Sequence, residues 1–393
     1  MRKKLLASLC MAACLAIPFS YAAPQKTVAA TANTIHAMET TENIAIPVYY
    51  SLNNLEPQKT GIYSISSNET QNFQITLNKT ASVSVLFNSS TFTNGSIAVS
   101  VLNSAGNPVD SFSVSGSSNS YTEVRNIRTV LSAGTYTLSV IGSDDLSSSV
   151  TFQASLFGIN ASQTDTINIS QQKIHYTALN NVSYHKIKIN KNGLLKLNCF
   201  SFYNSDFEKF LKGSTPTTSG TKVTLCNSKK KALSSYSYAK TKSPAKYAVK
   251  KGTYYIKVYG FGAYDIIKPT FTTANLGTKS KKKAVTITKT YKNYISPVKT
   301  SKSAATKWFK IKIPKAKKIS LFAKYQGTGS ITIEVFKGNK SCGRSSVYNG
   351  GVKKFAMTNS ISRKEIKWTK GTYYVKVSKY KKDYQGMYSL KIK

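Results

Sequence analysis

Apolar residues in this chain fall mostly at every second position, in short runs broken by clusters of Gly, Asn, Ser and Pro. Tyr254, Ile256 and Val258 alternate with Tyr255, Lys257 and Tyr259, and Phe309, Ile311 and Ile313 alternate with Lys310 and Lys312. Successive side chains of a strand point to opposite sides, so this period predicts strands with one buried and one wet face. The runs are rich in Val, Ile, Tyr and Thr, and turn clusters such as "NSAGNP" and "KGSTPTTSG" separate them. No long stretch carries the 3.6-residue period of an amphipathic helix.

One phrase is written three times: "AGTYTLSVIG" from Ala133, "KGTYYIKVYG" from Lys251 and "KGTYYVKVSK" from Lys370. Its glycines, Gly134, Gly252 and Gly371, lie 118 and 119 residues apart. That is longer than a solenoid unit of ~20–50 residues and suits separate domains. Three other landmarks keep step. Alternating runs start at Phe73, His185 and Phe309, middle runs at Ile97, Thr221 and Ile331, and closing runs at Phe152, Phe271 and Tyr388. The pattern predicts an all-β chain of three tandem antiparallel β-sandwich, jelly-roll-like domains after a signal peptide. The expected divisions are 1–22 for the signal peptide, 23–58 for a poorly defined arm, and 59–158, 159–276 and 277–393 for the sandwiches. Arg2, Lys3 and Lys4 precede the apolar stretch Leu5 to Ile17, and Ser20 and Ala22 place cleavage before Ala23. That stretch is short for a membrane span, and no second one follows, so no transmembrane segment is expected.

The repeats separate what the fold needs from what it tolerates. In the repeated strand the inner set is Tyr136, Leu138 and Val140, then Tyr254, Ile256 and Val258, then Tyr373, Val375 and Val377. Tyr254 and Tyr373 are therefore expected in the core, Tyr255 and Tyr374 outside it, and Gly252 and Gly371 at the turns that open the strand. The outer set drifts. Gln74 and Thr76 in the first copy become Lys186 and Lys188 in the second and Lys310 and Lys312 in the third.

The Gly-Thr-Tyr strand near the end of each repeat, closed by a Phe or Tyr run, resembles the bacterial pre-peptidase C-terminal domain. The resemblance covers nearly all of the chain beyond the leader. It implies β-sandwiches of the kind appended to secreted proteases and other exported proteins, including the collagen-binding modules of clostridial collagenases. Here no protease domain accompanies the repeats. The acidic cluster that binds calcium in the collagen-binding members has no clear counterpart, so neither calcium nor collagen is carried over.

Charge sharpens the functional reading. The chain carries +41 in all. From 23 to 158 the net charge is −3, from 159 to 276 it is +14, and from 277 to 393 it is +27. So uneven a distribution points to a polyanionic partner, although surface lysine also keeps a chain soluble. The candidate contacts are the outward Lys186, Lys188, Lys257, Lys310, Lys312 and Lys376, with Lys281, Lys282, Lys283, Lys317 and Lys318 in turns or linkers. Tyr255, Tyr259 and Tyr374 are candidates for stacking on sugar rings. Lysine far outnumbers arginine, the residue that reads base edges, so no specific nucleic acid is expected. The expected partner is an anionic cell-wall polymer or an acidic glycan, met outside the cell by a protein that is secreted or held non-covalently at the wall. The alternatives are accessory domains for a separately encoded exoenzyme and an adhesin for host matrix or glycans. Nothing in the sequence sets an oligomeric state.

No catalytic constellation emerges, and no cofactor or metal is expected. The histidines are His36, His175 and His185, without a partner ligand at helical spacing. His185 stands at the inward position of Phe73 and Phe309 and reads as core. Cys199 should face inward, Cys226 outward, and Cys342 should lie in a turn, so all three are expected to be unpaired.

Overall fold

The computed structural model describes residues 41–45, 48–49 and 58–393 except 117–124, 204–205, 207–218, 241, 300, 359–361 and 363. The expected signal peptide, most of the arm and His36 lie outside the described residues.

The described chain is nearly all strand. The first sandwich contains β1 (Thr41–Ala45), β2 (Val48–Tyr49), β3 (Gln58–Lys59), β4 (Tyr63–Ile65), β5 (Thr70–Leu77), β6 (Ala81–Ser89), β7 (Ser96–Leu102), β8 (Pro108–Ser115), β9 (Arg125–Leu131), β10 (Gly134–Gly142) and β11 (Val150–Asn160). The second contains β12 (Thr164–Thr166), β13 (Lys173–Thr177), β14 (Val182–Ile189), β15 (Gly193–Tyr203), β16 (Thr221–Cys226), β17 (Ser237–Ala239), β18 (Ala245–Val249), β19 (Gly252–Tyr259) and β20 (Ala263–Thr273). The third contains β21 (Val285–Thr286), β22 (Lys292–Ser296), β23 (Lys307–Ile313), β24 (Ser320–Gly327), β25 (Ser330–Lys337), β26 (Lys340–Tyr348), β27 (Val352–Ala356), β28 (Gly371–Lys379) and β29 (Gly386–Ile392). A helical turn, Lys302–Ala305, precedes β23. Two strands of the expected arm, β1 and β2, join the sheets of the first sandwich. Among the described residues no helix is long and apolar enough to cross a membrane.

The three sandwiches share one topology. Their five-stranded sheets run β1-β5-β10-β7-β8, β12-β14-β19-β16-β17 and β21-β23-β28-β25-β26. Each opens with a parallel edge pair, β1 on β5, β12 on β14 and β21 on β23, and continues antiparallel. The facing sheets run β4-β11-β6-β9, β13-β20-β15-β18 and β22-β29-β24-β27. Each pair of sheets closes over its own apolar core. The alternation read from the sequence is the burial pattern of β23, where Phe309, Ile311 and Ile313 are buried and Lys312 is exposed.

The repeated phrase has a local cause. Gly134, Gly252 and Gly371 open β10, β19 and β28 with φ of 155°, 159° and 141°, which L side chains rarely adopt. The tyrosine two residues on folds back over the turn. Tyr136 donates to the Ser132 carbonyl (3.1 Å), Tyr254 to the Lys250 carbonyl (2.9 Å) and Tyr373 to the Thr369 carbonyl (3.3 Å). Each hydrogen bond spans four residues, so glycine and tyrosine form one turn-closing unit. Tyr373 is fully buried, as expected, but Tyr254 is only half-buried. Trp368 packs on Tyr373 with ring centroids 4.7 Å apart. The residue at the matching place in the second sandwich is the smaller Val249, which covers less of Tyr254.

Register corrects one landmark. Phe152 pairs with Tyr63 and Ser89, and Tyr388 pairs with Tyr294 and Tyr325. The residue so placed in the second sandwich is Asp265, paired with His175 and Ser201. Phe271, the landmark expected there, lies six positions further along β20, opposite Leu195.

Both junctions are packed. Tyr264 of β20 places its hydroxyl 2.8 Å from Ser84 Oγ and 3.3 Å from Ser82 Oγ of β6. Leu86, Phe157, Ile159, Ile174, Phe202 and Ile266 form an apolar cluster around it. At the second junction Gln385 caps β18. Its Nε2 donates to the Lys246 carbonyl (2.6 Å), and its Oε1 accepts from the Ala248 amide (2.5 Å).

Candidate functional site

The outward faces of two five-stranded sheets carry the expected lysines. In the second sandwich Lys186 and Lys188 project from β14 and are exposed, while Lys257 of β19 is half-buried. In the third, Lys312 of β23 is exposed, and Lys310 and Lys376 are half-buried. Lys282, Lys283, Lys317 and Lys318 are exposed beyond the strands. The matching face of the first sandwich presents Gln74 and Thr76 of β5 and Thr137 of β10, while Ser139 of β10, in the same strand phase, is buried. Lys186, Lys188, Lys310 and Lys312 form no ion pair among the described residues.

Aromatic rings lie among these lysines, and registers place them in corresponding rows. Lys186 stands opposite Tyr255, which stands opposite Cys226. Lys310 stands opposite Tyr374, which stands opposite Phe336. The rings are not open platforms. Lys230 Nζ sits 4.8 Å from the Tyr184 centroid and 5.5 Å from that of Tyr255. Lys257 Nζ lies 4.6 Å from the Tyr259 centroid. Lys281 Nζ sits 4.9 Å from the Tyr374 centroid and 5.6 Å from that of Trp308, within cation–π range. Lys281 also donates to the Gly338 carbonyl (2.7 Å) and Asn339 Oδ1 (2.9 Å). Lys376 is engaged too, 3.8 Å from Glu334. Of the expected contacts, Lys281 and Lys376 are thus tied into the sheet surface, whereas Lys186, Lys188, Lys310 and Lys312 leave their ammonium groups uncompensated. Tyr255, Tyr259 and Tyr374 are half-buried beneath lysines, where they hold charge in place.

The three cysteines among the described residues are free: Cys199 is buried as expected, Cys226 is buried although it shares the outward phase of Tyr255, and Cys342 is half-buried within β26 and not in a turn. Burial drives the Cys199 thiol pKa far up and raises that of Cys226, which keeps both protonated and inert.

The sequence reading missed a polar cluster inside the second sandwich. His175 on β13 and His185 on β14 come from facing sheets, both fully buried, with ring centroids 4.6 Å apart and planes perpendicular. Asp165 on β12 pairs with His185 in register. Donor atoms of Asp165, His175 and His185 all lie within 4.8 Å of one another, so these residues could hold a metal ion. Burial depresses both imidazole pKa values, that of His185 to about 3, so both rings are neutral. Lys173 and Asn160 both contact the Asp165 carboxylate. A hydrogen-bonded chain continues from His185 Nε2 to Ser183 Oγ (3.3 Å) and from there to Thr177 Oγ1 (3.1 Å). Asp265 lies beyond, with Oδ1 2.5 Å from Ser201 Oγ and its pKa pushed up to about 7 by burial. The signal available in the sequence was the pair of histidines at positions that are aromatic in the other two repeats.

No family model matches the chain, and no curated protein matches it. Solved structures show distant likeness only. The PBSX exported protein XepA is 10% identical at a TM-score of 0.19, over 57% of this chain and 88% of that one. The CUB1-EGF-CUB2 region of human MASP-1/3 is 8% identical at 0.16, over 56% and 95%. A triple jelly-roll protein of an archaeal virus turret is 10% identical at 0.17, over 81% and 80%. At these levels none assigns a family, and the chain is described by its architecture: all-β, in tandem jelly-roll-like sandwiches.

Proposed function

We propose that the protein is an exported, non-catalytic binding protein whose second and third sandwiches attach to an anionic polymer, a cell-wall polymer or an acidic glycan. The observation that carries this reading is the contrast at matched outward positions. Gln74 and Thr76 stand where the second sandwich has Lys186 and Lys188 and the third has Lys310 and Lys312, over inner faces that stay apolar on these strands except at His185. Fold and core do not require the change. Lysines two apart on one strand repel each other, and a net +27 over the last 117 residues destabilises a compact state. A polyanion relieves that repulsion and releases counterions on binding. Export rests on the leader ending at Ala22, and three sandwiches resembling pre-peptidase C-terminal domains suit an appended binding role. The test is retention of the mature chain on an immobilised anionic polysaccharide and on a neutral one. Retention on the anionic resin alone, falling steeply with salt, supports the reading. Equal retention on both, or indifference to salt, contradicts it.

A further inference from the structure

The register equates three core positions across the sandwiches. In the first they hold Tyr63, Phe73 and Phe152, which pack ring on ring with centroids 5.0–6.2 Å apart. In the third they hold Tyr294, Phe309 and Tyr388, at 4.6–6.1 Å. In the second they hold His175, His185 and Asp265. Two sandwiches thus pin their sheets together with an aromatic triad, and the middle one replaces every ring of it with a polar group.

Two imidazoles buried in a core need partners for four nitrogens. His185 Nε2 has Ser183, but His185 Nδ1 and both nitrogens of His175 have no hydrogen-bond partner. Buried polar groups left in this state are destabilising. Asp165 brings a carboxylate to the same point, its Oδ1 accepting from the Thr166 amide at 2.6 Å.

We propose that Asp165, His175 and His185 form a binding site for a divalent first-row transition-metal ion of the zinc class, which cross-links the two sheets of the second sandwich in place of the aromatic triad. Neutral imidazole and carboxylate are the donor set such ions take, at about 2.0–2.2 Å. Donor atoms within 4.8 Å of one another close onto an ion by small side-chain rotations. Asp165 and His185 come from the five-stranded sheet and His175 from the facing one, so one ion bridges both. The supporting shell is present. Ser183 orients the His185 ring, and the Thr166 amide and Asn160 orient the carboxylate. Lys173 neutralises Asp165 without an ion. An arriving cation takes over that role, while Lys173 keeps the Thr166 carbonyl at 2.6 Å. A cavity of about 380 Å³ at the junction with the first sandwich, lined by His175, Thr177, Ser183, Thr80 and Val130, supplies the route and room for a water ligand.

The test uses the full mature chain stripped with a chelator and titrated with Co²⁺, then Zn²⁺. The expected result is one Co²⁺ per chain with visible d–d absorption, displacement by Zn²⁺, and a raised unfolding midpoint in excess metal. The triple variant His175→Tyr/His185→Phe/Asp265→Phe reproduces the residue set of the first sandwich and should fold without binding. X-ray absorption at the zinc edge of the wild-type complex needs no variant and should show two imidazole ligands. No saturable one-to-one Co²⁺ signal, a zinc site without imidazole, or undiminished binding by the folded triple variant would overturn the proposal.

Discussion

Tyr373 and Tyr374 are neighbours in sequence with opposite roles. Tyr373 is buried against Trp368 and closes its turn through the Thr369 carbonyl, while Tyr374 lies on the outer face under Lys281. Truncating a buried aromatic costs about 3–5 kcal/mol, and a surface change usually stays within about 0.5. Tyr373→Ala should therefore unfold or severely weaken the third sandwich, and Tyr374→Ala should shift the denaturant midpoint little. Equal shifts would reverse the assigned strand phase. Asp265 gives a second prediction at this scale. Burial lifts its carboxyl to about 7, against the opposing hydrogen bonds from Ser201, Thr177 and Thr221. The folded value lies above the unfolded ~3.9. Its contribution is thus complete in acid and is lost as pH rises through about 7. Asp265→Asn should remove that slope, so the difference in melting temperature between variant and wild type should grow in the variant's favour from pH 4 to 7. A difference independent of pH would contradict the assignment.

Among the elements, the junction strands carry the most specific contacts. Gln385 supplies a donor and an acceptor to the edge of β18, as a neighbouring strand would. Gln385→Ala leaves the Lys246 carbonyl and Ala248 amide without those partners, a loss of about 1–3 kcal/mol for buried groups. The expected outcome in calorimetry is separation of the third sandwich's transition from that of the second. A single unchanged transition would show that the cap does not couple them. Elements were also where the sequence was most legible. Alternation in β5, β14 and β23 predicted which side chains face in, and the glycine phrase located β10, β19 and β28. The closing strand misled because Phe271 imitates Phe152 and Tyr388, whereas pairing with β13 and β15 puts Asp265 in their place. The His175–His185 contact was hidden for a related reason. The two residues sit on facing sheets, and alternation states which face a side chain takes but not what it meets across the core. The capping of Tyr255 and Tyr374 by Lys230 and Lys281 was equally out of reach, since those lysines arrive from turns distant in sequence.

At the scale of the whole molecule, three copies of one sandwich differ in surface charge and, in the second copy, at three core positions. The first is nearly neutral, and the other two concentrate the positive charge. At physiological ionic strength charge acts over about 8 Å, so binding depends on which lysines touch the polymer and not only on the total. The full chain with Lys186, Lys188, Lys310 and Lys312 changed to Glu can be set against one with Lys196, Lys268, Lys324 and Lys353, from the facing sheets, changed to Glu. Both variants carry the same net charge, and both sets lie on strand surfaces. The decisive measurement is the salt concentration that elutes wild type and each variant from an immobilised anionic polysaccharide. The first variant should elute at clearly lower salt than the second, with a shallower dependence of affinity on salt. Identical elution of the two variants would show that total charge alone governs retention and would contradict a binding face on the five-stranded sheets.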